Sequence, residues 1–274
     1  MGKPLDPSWC GWLAENLQRG CPPQELLGIL LNHGFAVAAI RQAMGEQFPA
    51  SSFLLGDAAQ PIDHEALAAI RPKGGKRFPS DAAELYTIDG FLSPADCHAL
   101  MALAATHLRP STVTTGNRDA GYRTSSTCDL GMVCDPLITR IDQMIADTLG
   151  IRLPYSEGIQ AQRYEVGQEF KRHTDYFVPG SQEYTDYAGL SGNRTWTFMV
   201  YLNQVERGGG TRFFALGQTF QPRQGLAVLW NNLNSDGTPN SATEHAGLPV
   251  EAGHKDIITK WFREVGSGPM WTQG

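Results

Sequence analysis

Five short segments rich in β-branched and aromatic residues dominate the C-terminal half of the chain. They read IQAQRYEV, TWTFMVYLN, TRFFAL, LAVLWNN and KDIITKWFRE, and the first of them begins at Ile159. Turns such as ERGGG and SDGTPN separate them, and several alternate between polar and apolar residues, as half-buried strands do. Because the strands are many and short, they predict a double-stranded β-helix, or jelly roll.

Two helices are expected to support this sheet structure. One is predicted in SPADCHALMALAATH, where Ser93 is the N-cap and Pro94 takes the first helical position. The other is predicted in DPLITRIDQMIADTLG, where Asp135 is the cap, Pro136 follows it and Gly150 ends the helix. Its apolar residues recur on one face, which would cover one side of a sheet. The fold class is therefore predicted to be α+β.

The N-terminal part of the chain has a different, helical pattern. Its first segment, PSWCGWLAENLQRGC, has apolar residues at helical spacing, with Ser8 as the expected cap. The segments PPQELLGILLNHG and FAVAAIRQAMG predict two more short helices. A stretch rich in Ser, Gly, Pro and Asp follows, with one short helix predicted near residues 64–70. The predicted organisation is a helical region at 1–50, a linker at 51–80, a jelly-roll domain at 81–266 and a tail at 267–274.

Composition restricts the possible partners and compartments. The 274 residues are 41% hydrophobic and 18% charged, which is enough apolar material for a substantial core, and the net charge is −6. This acidic balance argues against nucleic acid or a membrane as a partner, and no apolar stretch approaches the roughly 20 residues that span a bilayer. The five cysteines lack CxxC spacing and are expected to be reduced. With no signal peptide visible, a cytoplasmic protein is expected.

The stretch FKRHTDYF suggests a metal site. Since side chains on a strand alternate between faces, His173 and Asp175 point to the same side. A second histidine would complete the two-His, one-carboxylate set used by non-haem Fe(II) oxygenases. Four of the other histidines (His33, His64, His98 and His107) are assigned to helices or the linker, which leaves His245 and His254 as candidates. On its own, a His-x-Asp pair is also compatible with an ordinary polar strand edge.

A lysine near these histidines favours an anionic cosubstrate. Lys255 comes ten positions after His245, at the start of a predicted strand. A lysine inside a barrel of apolar strands is costly unless it meets an anion. A dicarboxylic acid with one end on the metal and the other on Lys255 would provide that anion. The alternative is a solvated lysine at a strand end.

An ordered series of motifs carries a resemblance that runs through most of residues 84–264. The motifs are YTIDGFLSPADC, YRTSSTCDL, EGIQAQRYEVGQEFKRHTDYF, RTWTFMVYLNQVERGGGTRFF, QPRQGLAVLWNN and TEHAGLPVEAGHKDIITKWFRE. In this order they resemble the prolyl 4-hydroxylase family of Fe(II)- and 2-oxoglutarate-dependent dioxygenases. The resemblance implies Fe(II), 2-oxoglutarate and O2 as cofactor and cosubstrates, ascorbate as a further cofactor, and a prolyl residue in a protein or peptide as the substrate.

The resemblance also implies roles for individual residues. The metal ligands and catalytic residues would be His173, Asp175 and His245. The cosubstrate would be bound by Lys255 at its distal carboxylate, with Tyr164 lining that pocket and Trp261 beside it. Arg194 would touch a peptide substrate, and residues 178–193, which follow the first two ligands directly, are expected to form a loop that covers the substrate.

One departure from the family pattern leaves the substrate open. Phe170 stands where many members have a tyrosine three positions before the first histidine ligand, so a hydroxyl near the substrate is missing. A free amino acid or another small molecule is the alternative substrate. A zinc hydrolase and a catalytically silent metal-binding scaffold, with the N-terminal helical region as an adaptor, are the alternative functions. The sequence determines neither the oligomeric state nor the role of residues 1–50.

Overall fold

Two antiparallel sheets form the centre of the structure, a computed structural model. It describes residues 3–19, 21, 23–32, 34–48, 62–111, 121–133, 135–189, 191–266 and 269–271. The helices are α1 (Pro7–Gln18), α2 (Pro23–Asn32), α3 (Val37–Met44), α4 (His64–Ala68), α5 (Pro94–Ala105) and α6 (Pro136–Leu149). The strands are β1 (Lys76–Arg77), β2 (Leu85–Ile88), β3 (Arg109–Pro110), β4 (Ser126–Asp129), β5 (Gln160–Tyr164), β6 (Phe170–His173), β7 (Arg194–Tyr201), β8 (Arg207–Gly208), β9 (Thr211–Phe213), β10 (Gln218–Phe220), β11 (Ala227–Asn231), β12 (His245–Gly247), β13 (Val250–Ala252) and β14 (Lys255–Arg263).

The strand order is that of a jelly roll. Within the described ranges, eight strands pair in the order β1-β2-β11-β7-β14-β5-β4-β3 and four in the order β10-β9-β12-β6, while β13 and β8 form a short ribbon. All of these pairings are antiparallel. The predicted α+β class with a jelly-roll core is therefore confirmed. Each of the five predicted C-terminal strands is present.

Strand β7 separates two hydrophobic cores because its side chains alternate between the faces of the large sheet. Trp196 and Phe198 belong to the core that also contains Ile141 of α6. Met199 and Tyr201 belong to the other core, which lies between the two sheets. The helices thus cover one face of the large sheet, as predicted, and the other face lines the interior of the jelly roll.

The helix ends follow from local sequence at most positions. The Asp135 carboxylate accepts a hydrogen bond from the amide of Leu137 at 2.8 Å, and Gly150 ends α6 with a φ of 73°. Ser93 caps α5, as expected. The predicted cap at Ser8 is wrong: Asp6 caps α1 instead, since its carboxylate accepts from the amides of the second and third helical residues. Pro7 occupies the first helical position, so the cap is the residue before it.

The helices of the N-terminal region pack around a core of their own, which includes Leu13, Leu30 and Ile40. The domain boundaries predicted from the sequence, at residues 50, 80 and 266, stay predictions. Residues 51–61 of the predicted linker, and residues 267, 268 and 272–274 of the predicted tail, lie outside the described residues. In the rest of the linker, β1 pairs with β2 and Leu67 of α4 joins the core beneath the large sheet.

Two further sequence predictions concern the described residues. Cys10, Cys21, Cys97 and Cys128 are free thiols, whereas Cys134 lies outside the described residues. None of the helices found in the described ranges has the length and apolar character needed to cross a membrane.

Candidate active site

A cavity of about 330 Å³ opens between the two sheets of the jelly roll. Strands of both sheets contribute to its walls, and residues 122–123 and 176–178 also line it. The cavity has two chemically distinct features. One is a cluster of two histidines and an aspartate, and the other is a buried lysine.

The register between β6 and β12 brings the cluster together. His173 and His245 are directly opposite each other on these antiparallel strands, and their ring centroids are 4.3 Å apart. Asp175 follows His173 by two residues, and its Oδ1 lies 3.9 Å from His173 Nε2. One ligating atom from each of the three residues lies within 4.8 Å of the others. Among the described residues, this is the one group of three or more potential ligands that meets this condition.

Backbone carbonyls orient both imidazoles. Nδ1 of His173 lies 2.7 Å from the carbonyl oxygen of Lys171, and Nδ1 of His245 lies 2.9 Å from that of Thr243. Since a carbonyl can only accept, each Nδ1 carries a proton, so the neutral form of either ring has its lone pair on Nε2. Burial, and next the neighbouring His245, lowers the pKa of His173 to about 3. That imidazole is therefore neutral at physiological pH, which is the form that binds metals.

The Asp175 carboxyl completes the set of donors. Burial by itself raises the pKa of this group, but the neighbouring imidazoles, the Arg194 guanidinium and the Thr197 hydroxyl together hold the pKa below its usual value. The group is thus a carboxylate at neutral pH. Two imidazoles and one carboxylate facing a common point are donors that suit Fe(II) and leave other coordination positions open.

The other histidine considered for this site lies elsewhere. His254 is 47% exposed, and its Nε2 is 3.2 Å from the carboxylate of Asp256. The structure therefore brings His173, Asp175 and His245 together and leaves His254 outside the cavity. His33 lies outside the described residues.

The lysine in the cavity is buried without a counter-ion. Lys255 is 1% exposed, and burial lowers the pKa of its ammonium group to about 7. It is opposite Tyr164 in the β5–β14 register, with Nζ 4.2 Å from the centre of the tyrosine ring. No carboxylate in the described part of the chain pairs with it. Burial also raises the pKa of Tyr164, whose hydroxyl donates to Gln162 at 2.7 Å.

The cavity wall near the cluster consists of stacked aromatic and guanidinium groups. The Arg194 guanidinium lies 4.0 Å from the ring centre of Trp261 and forms an ion pair with Glu157 at 2.6 Å. Arg263 lies 3.2 Å from the same carboxylate. Trp261 Nε1 is buried and has no hydrogen-bond partner among the described residues. Arg194 thus lines the cavity with its charge already paired, whereas the indole N–H of Trp261 is buried in the cavity wall.

Two further residues shape the cavity. Arg123 donates to the side chain of Gln160 at 3.0 Å and lies over one side of the Phe170 ring, 5.0 Å from its centre. Phe170 stacks on the His173 imidazole at 3.6 Å. Sequence reasoning did not select Arg123. It lies in the motif YRTSSTCDL, and the one arginine of that motif, just before a strand, was the available signal.

One side chain links the two ends of the segment expected to cover the substrate. Asn193 accepts a hydrogen bond from the amide of Phe177 at 2.8 Å and donates to the carbonyl of the same residue at 2.9 Å. Within the segment, Tyr184–Ala188 forms a turn of π-helix, and Tyr187, half exposed, stacks on Phe177. Leu190 lies outside the described residues. Val178, Glu183 and Tyr187 of the segment line the cavity, and the role of the segment as a lid stays a prediction.

Known proteins resemble this chain in both sequence and structure. The family model described as the 2OG-Fe(II) oxygenase superfamily matches residues 159–263. A probable prolyl 4-hydroxylase 3 of Arabidopsis thaliana is 34% identical over 200 residues, which cover 65% of this chain and 68% of the relative. Prolyl 4-hydroxylase subunit alpha-3 of Homo sapiens is 34% identical over 180 residues, covering 64% of this chain. The match spans about a third of that human protein, 33% of its length.

A solved structure shows the same fold. It is a viral collagen prolyl hydroxylase from Paramecium Bursaria Chlorella virus-1, in a 2OG complex. It is 26% identical in sequence, covers 66% of this chain and 96% of its own, and superimposes with a TM-score of 0.53.

Proposed function

The chain belongs to the prolyl 4-hydroxylase-like 2OG-Fe(II) oxygenases, and on that premise we propose that it hydroxylates a C–H bond in an Fe(II)- and 2-oxoglutarate-dependent reaction that releases succinate and CO2. One observation carries this proposal. A single cavity holds a two-histidine, one-carboxylate cluster and a buried lysine without a counter-ion. A dicarboxylate that reaches from the metal to that lysine satisfies both features.

The side chains present fit the proposed metal and cosubstrate. Fe(II) would be held by Nε2 of His173, Nε2 of His245 and Oδ1 of Asp175. The Nζ of Lys255 would bind the distal carboxylate of 2-oxoglutarate. Iron with 2-oxoglutarate and O2 supplies the oxidising chemistry, which no protein side chain can provide. The chain itself orients the ligands through the backbone carbonyls and surrounds the site with apolar strands that exclude water.

The cosubstrate pocket also explains the buried neutral Tyr164. The face of the tyrosine ring supports the lysine ammonium through a cation–π contact. We include ascorbate in the proposal as a further cofactor, whose need is measured by turnover with and without it.

The substrate class that we propose is a prolyl residue in a protein or peptide. The names of the relatives support it, and so does the position of residues 178–193 beside the cavity, where an extended chain could lie. Hydroxylation of a free amino acid or another small molecule is the second candidate, because Phe170 offers a stacked ring and no hydroxyl at the site. The test is incubation of the Fe(II)-loaded protein with 2-oxoglutarate and either a proline-containing peptide library or free amino acids.

Mass spectrometry distinguishes these substrates by the gain of one oxygen. Oxidised peptides would support the prolyl assignment. Succinate formation that depends on free amino acids, without any oxidised peptide, would exclude the prolyl substrate and leave the dioxygenase assignment intact. Absence of 2-oxoglutarate turnover in all conditions would favour a zinc hydrolase or a silent scaffold instead.

Variants at the cluster test the metal assignment. His173→Ala or Asp175→Ala removes a ligand and is expected to abolish Fe(II)-dependent succinate formation. His254→Ala is the matched control, since that imidazole is half exposed and outside the cavity, and it should retain most activity. If His254→Ala were more damaging than His245→Ala, the choice of the second histidine ligand would be wrong.

A further inference from the structure

A line of buried hydrogen bonds leads from the core between the sheets to Asp175. Trp230 Nε1 lies 3.0 Å from Asn232 Oδ1, and Asn232 Nδ2 lies 2.8 Å from Thr197 Oγ1. The Thr197 hydroxyl lies 2.7 Å from Asp175 Oδ2. Trp230, Asn232 and Thr197 are each at most 1% exposed. We call these three residues the relay.

Only one assignment of donors and acceptors is possible along the relay. An indole N–H can only donate, so the side-chain oxygen of Asn232 must face Trp230 and its amide NH2 must face Thr197. The Thr197 oxygen therefore accepts from Asn232. Its own single proton cannot point back towards that NH2 and is directed at Asp175 Oδ2. The relay thus delivers a donor to one chosen oxygen of the carboxylate.

Each histidine of the cluster is held in orientation by a hydrogen bond to a backbone carbonyl. The carboxylate of Asp175 is held instead by the relay, through its Oδ2. Because Oδ2 is bound to the Thr197 hydroxyl, Oδ1 is the oxygen left on the side of His173 Nε2. The same Trp230 also packs edge-on against His245, with ring centroids 4.9 Å apart. A single tryptophan therefore constrains one histidine directly and the carboxylate through three successive hydrogen bonds.

We propose that Thr197, held by Asn232 and Trp230, is a positioning residue that makes Asp175 a metal ligand through Oδ1 alone. This inference rests on the proposed function, because it concerns the same metal site. A carboxylate free to rotate could offer both oxygens to the ion and occupy a coordination position that the cosubstrates need. The relay keeps that position open, and it tightens metal binding because the carboxylate is already oriented before the ion arrives.

The strand itself offers a matched control. Thr195 lies two residues before Thr197 on β7, is completely buried, and its Oγ1 has no hydrogen-bond partner among the described residues. Thr197→Val and Thr195→Val therefore make the same chemical change at neighbouring buried positions of one strand. Only the first removes a hydrogen bond to the cluster. Thr197→Ser keeps the hydroxyl and serves as the conservative rescue.

The experiment measures Mn(II) affinity of the full chain by titration calorimetry under anaerobic conditions, with Mn(II) as a redox-stable probe for Fe(II). Loss of an outer hydrogen bond to a metal ligand typically weakens binding by about 10- to 100-fold. Thr197→Val is expected to lose at least about tenfold, whereas Thr195→Val and Thr197→Ser should stay within about threefold of the unaltered protein. Equal Mn(II) affinity in Thr197→Val and Thr195→Val would overturn the inference.

A spectroscopic readout separates positioning from a general loss of structure. With Co(II) bound, the visible absorption bands report coordination number and geometry. Thr197→Val should change these bands, because the released carboxylate can bind through both oxygens, and Thr195→Val should not. Unchanged Co(II) bands in Thr197→Val would count against the inference.

Trp230→Phe provides a second route if Thr197→Val does not fold. It keeps an aromatic ring at this position next to His245 and removes the five-membered ring with the N–H that fixes the Asn232 amide, so it is expected to weaken Mn(II) binding in the same direction by a smaller factor. Unchanged affinity there would also overturn the relay. Absence of Mn(II) binding by the unaltered protein would overturn the proposed function itself, which distinguishes the two failures.

Discussion

The buried ammonium of Lys255 should make 2-oxoglutarate binding strongly dependent on pH. Burial lowers its pKa from 10.5 to about 7, so the unfolded chain holds this proton between pH 7 and 10.5 while much of the folded protein has released it. Within that window, the stability of the cosubstrate-free protein is expected to rise with pH. A bound carboxylate reverses the effect, because it pairs with the ammonium and favours the protonated form.

The magnitude follows from the fraction of molecules that are already charged. About half of the free protein carries the charge at pH 7, about one molecule in ten at pH 8 and about one in a hundred at pH 9. If the complex is fully protonated, the apparent affinity for 2-oxoglutarate falls about fivefold from pH 7 to 8 and about 50-fold from pH 7 to 9. Binding at pH 8 should take up about 0.9 proton per molecule.

Titration calorimetry of the Mn(II)-loaded protein in buffers of different ionisation enthalpy measures this proton uptake directly. Pyruvate is the control ligand, because it has the 2-oxo acid group without a distal carboxylate and should bind with no such uptake. Equal affinity for 2-oxoglutarate at pH 7 and 9, or equal proton uptake with pyruvate, would refute the reasoning.

Substitution of the same lysine should separate binding from stability. Lys255→Met removes the partner of the distal carboxylate and is expected to weaken 2-oxoglutarate binding at least about tenfold at pH 7, since about 1.4 kcal/mol corresponds to one decade. It also removes a buried ionisable group whose deprotonation costs the folded state on the order of 4 kcal/mol at pH 7. The cosubstrate-free variant should therefore resist urea better than the unaltered protein, and a loss of stability would contradict this account.

The sequence predicts features that depend on neighbouring residues. Asp135 and Gly150 bound α6 correctly because a cap and a left-handed C-terminal glycine act within one turn of the helix. The alternation along β7 likewise predicts a strand with two faces. The exception at Ser8 is also local, because the proline between Asp6 and that serine moves the start of the helix two residues towards the N-terminus.

Contacts between distant segments could not be predicted in this way. Thr197 and Asn232 meet because β7 and β11 pair in one particular register, and no spacing in the sequence reveals that register. Arg194 and Glu157 are 37 residues apart, so the sequence predicts an arginine that contacts substrate and does not reveal the partly buried ion pair found in the structure. The metal cluster could be predicted from the sequence only because two of its ligands are two residues apart and a family resemblance identified the third.

Two predictions on stability test the packing around the site. Glu157→Leu leaves two buried guanidinium groups without a counter-charge and should destabilise the protein by about 3 kcal/mol or more in urea unfolding; an unchanged midpoint would mean that solvent already compensates those charges. Gly131→Ala would place a Cβ 2.5 Å from the Cα of Gly158, where neither backbone can yield easily, so a loss of about 1–3 kcal/mol is expected. Gly28→Ala is the matched control, because none of the described residues has an atom within 4 Å of its added Cβ in the middle of α2, and it should stabilise the helix by up to about 1 kcal/mol. The glycine-to-alanine substitution should therefore lower the free energy of unfolding at residue 131 and raise it at residue 28. Similar effects at both positions would show that the close approach of the two backbones is not what requires glycine at residue 131.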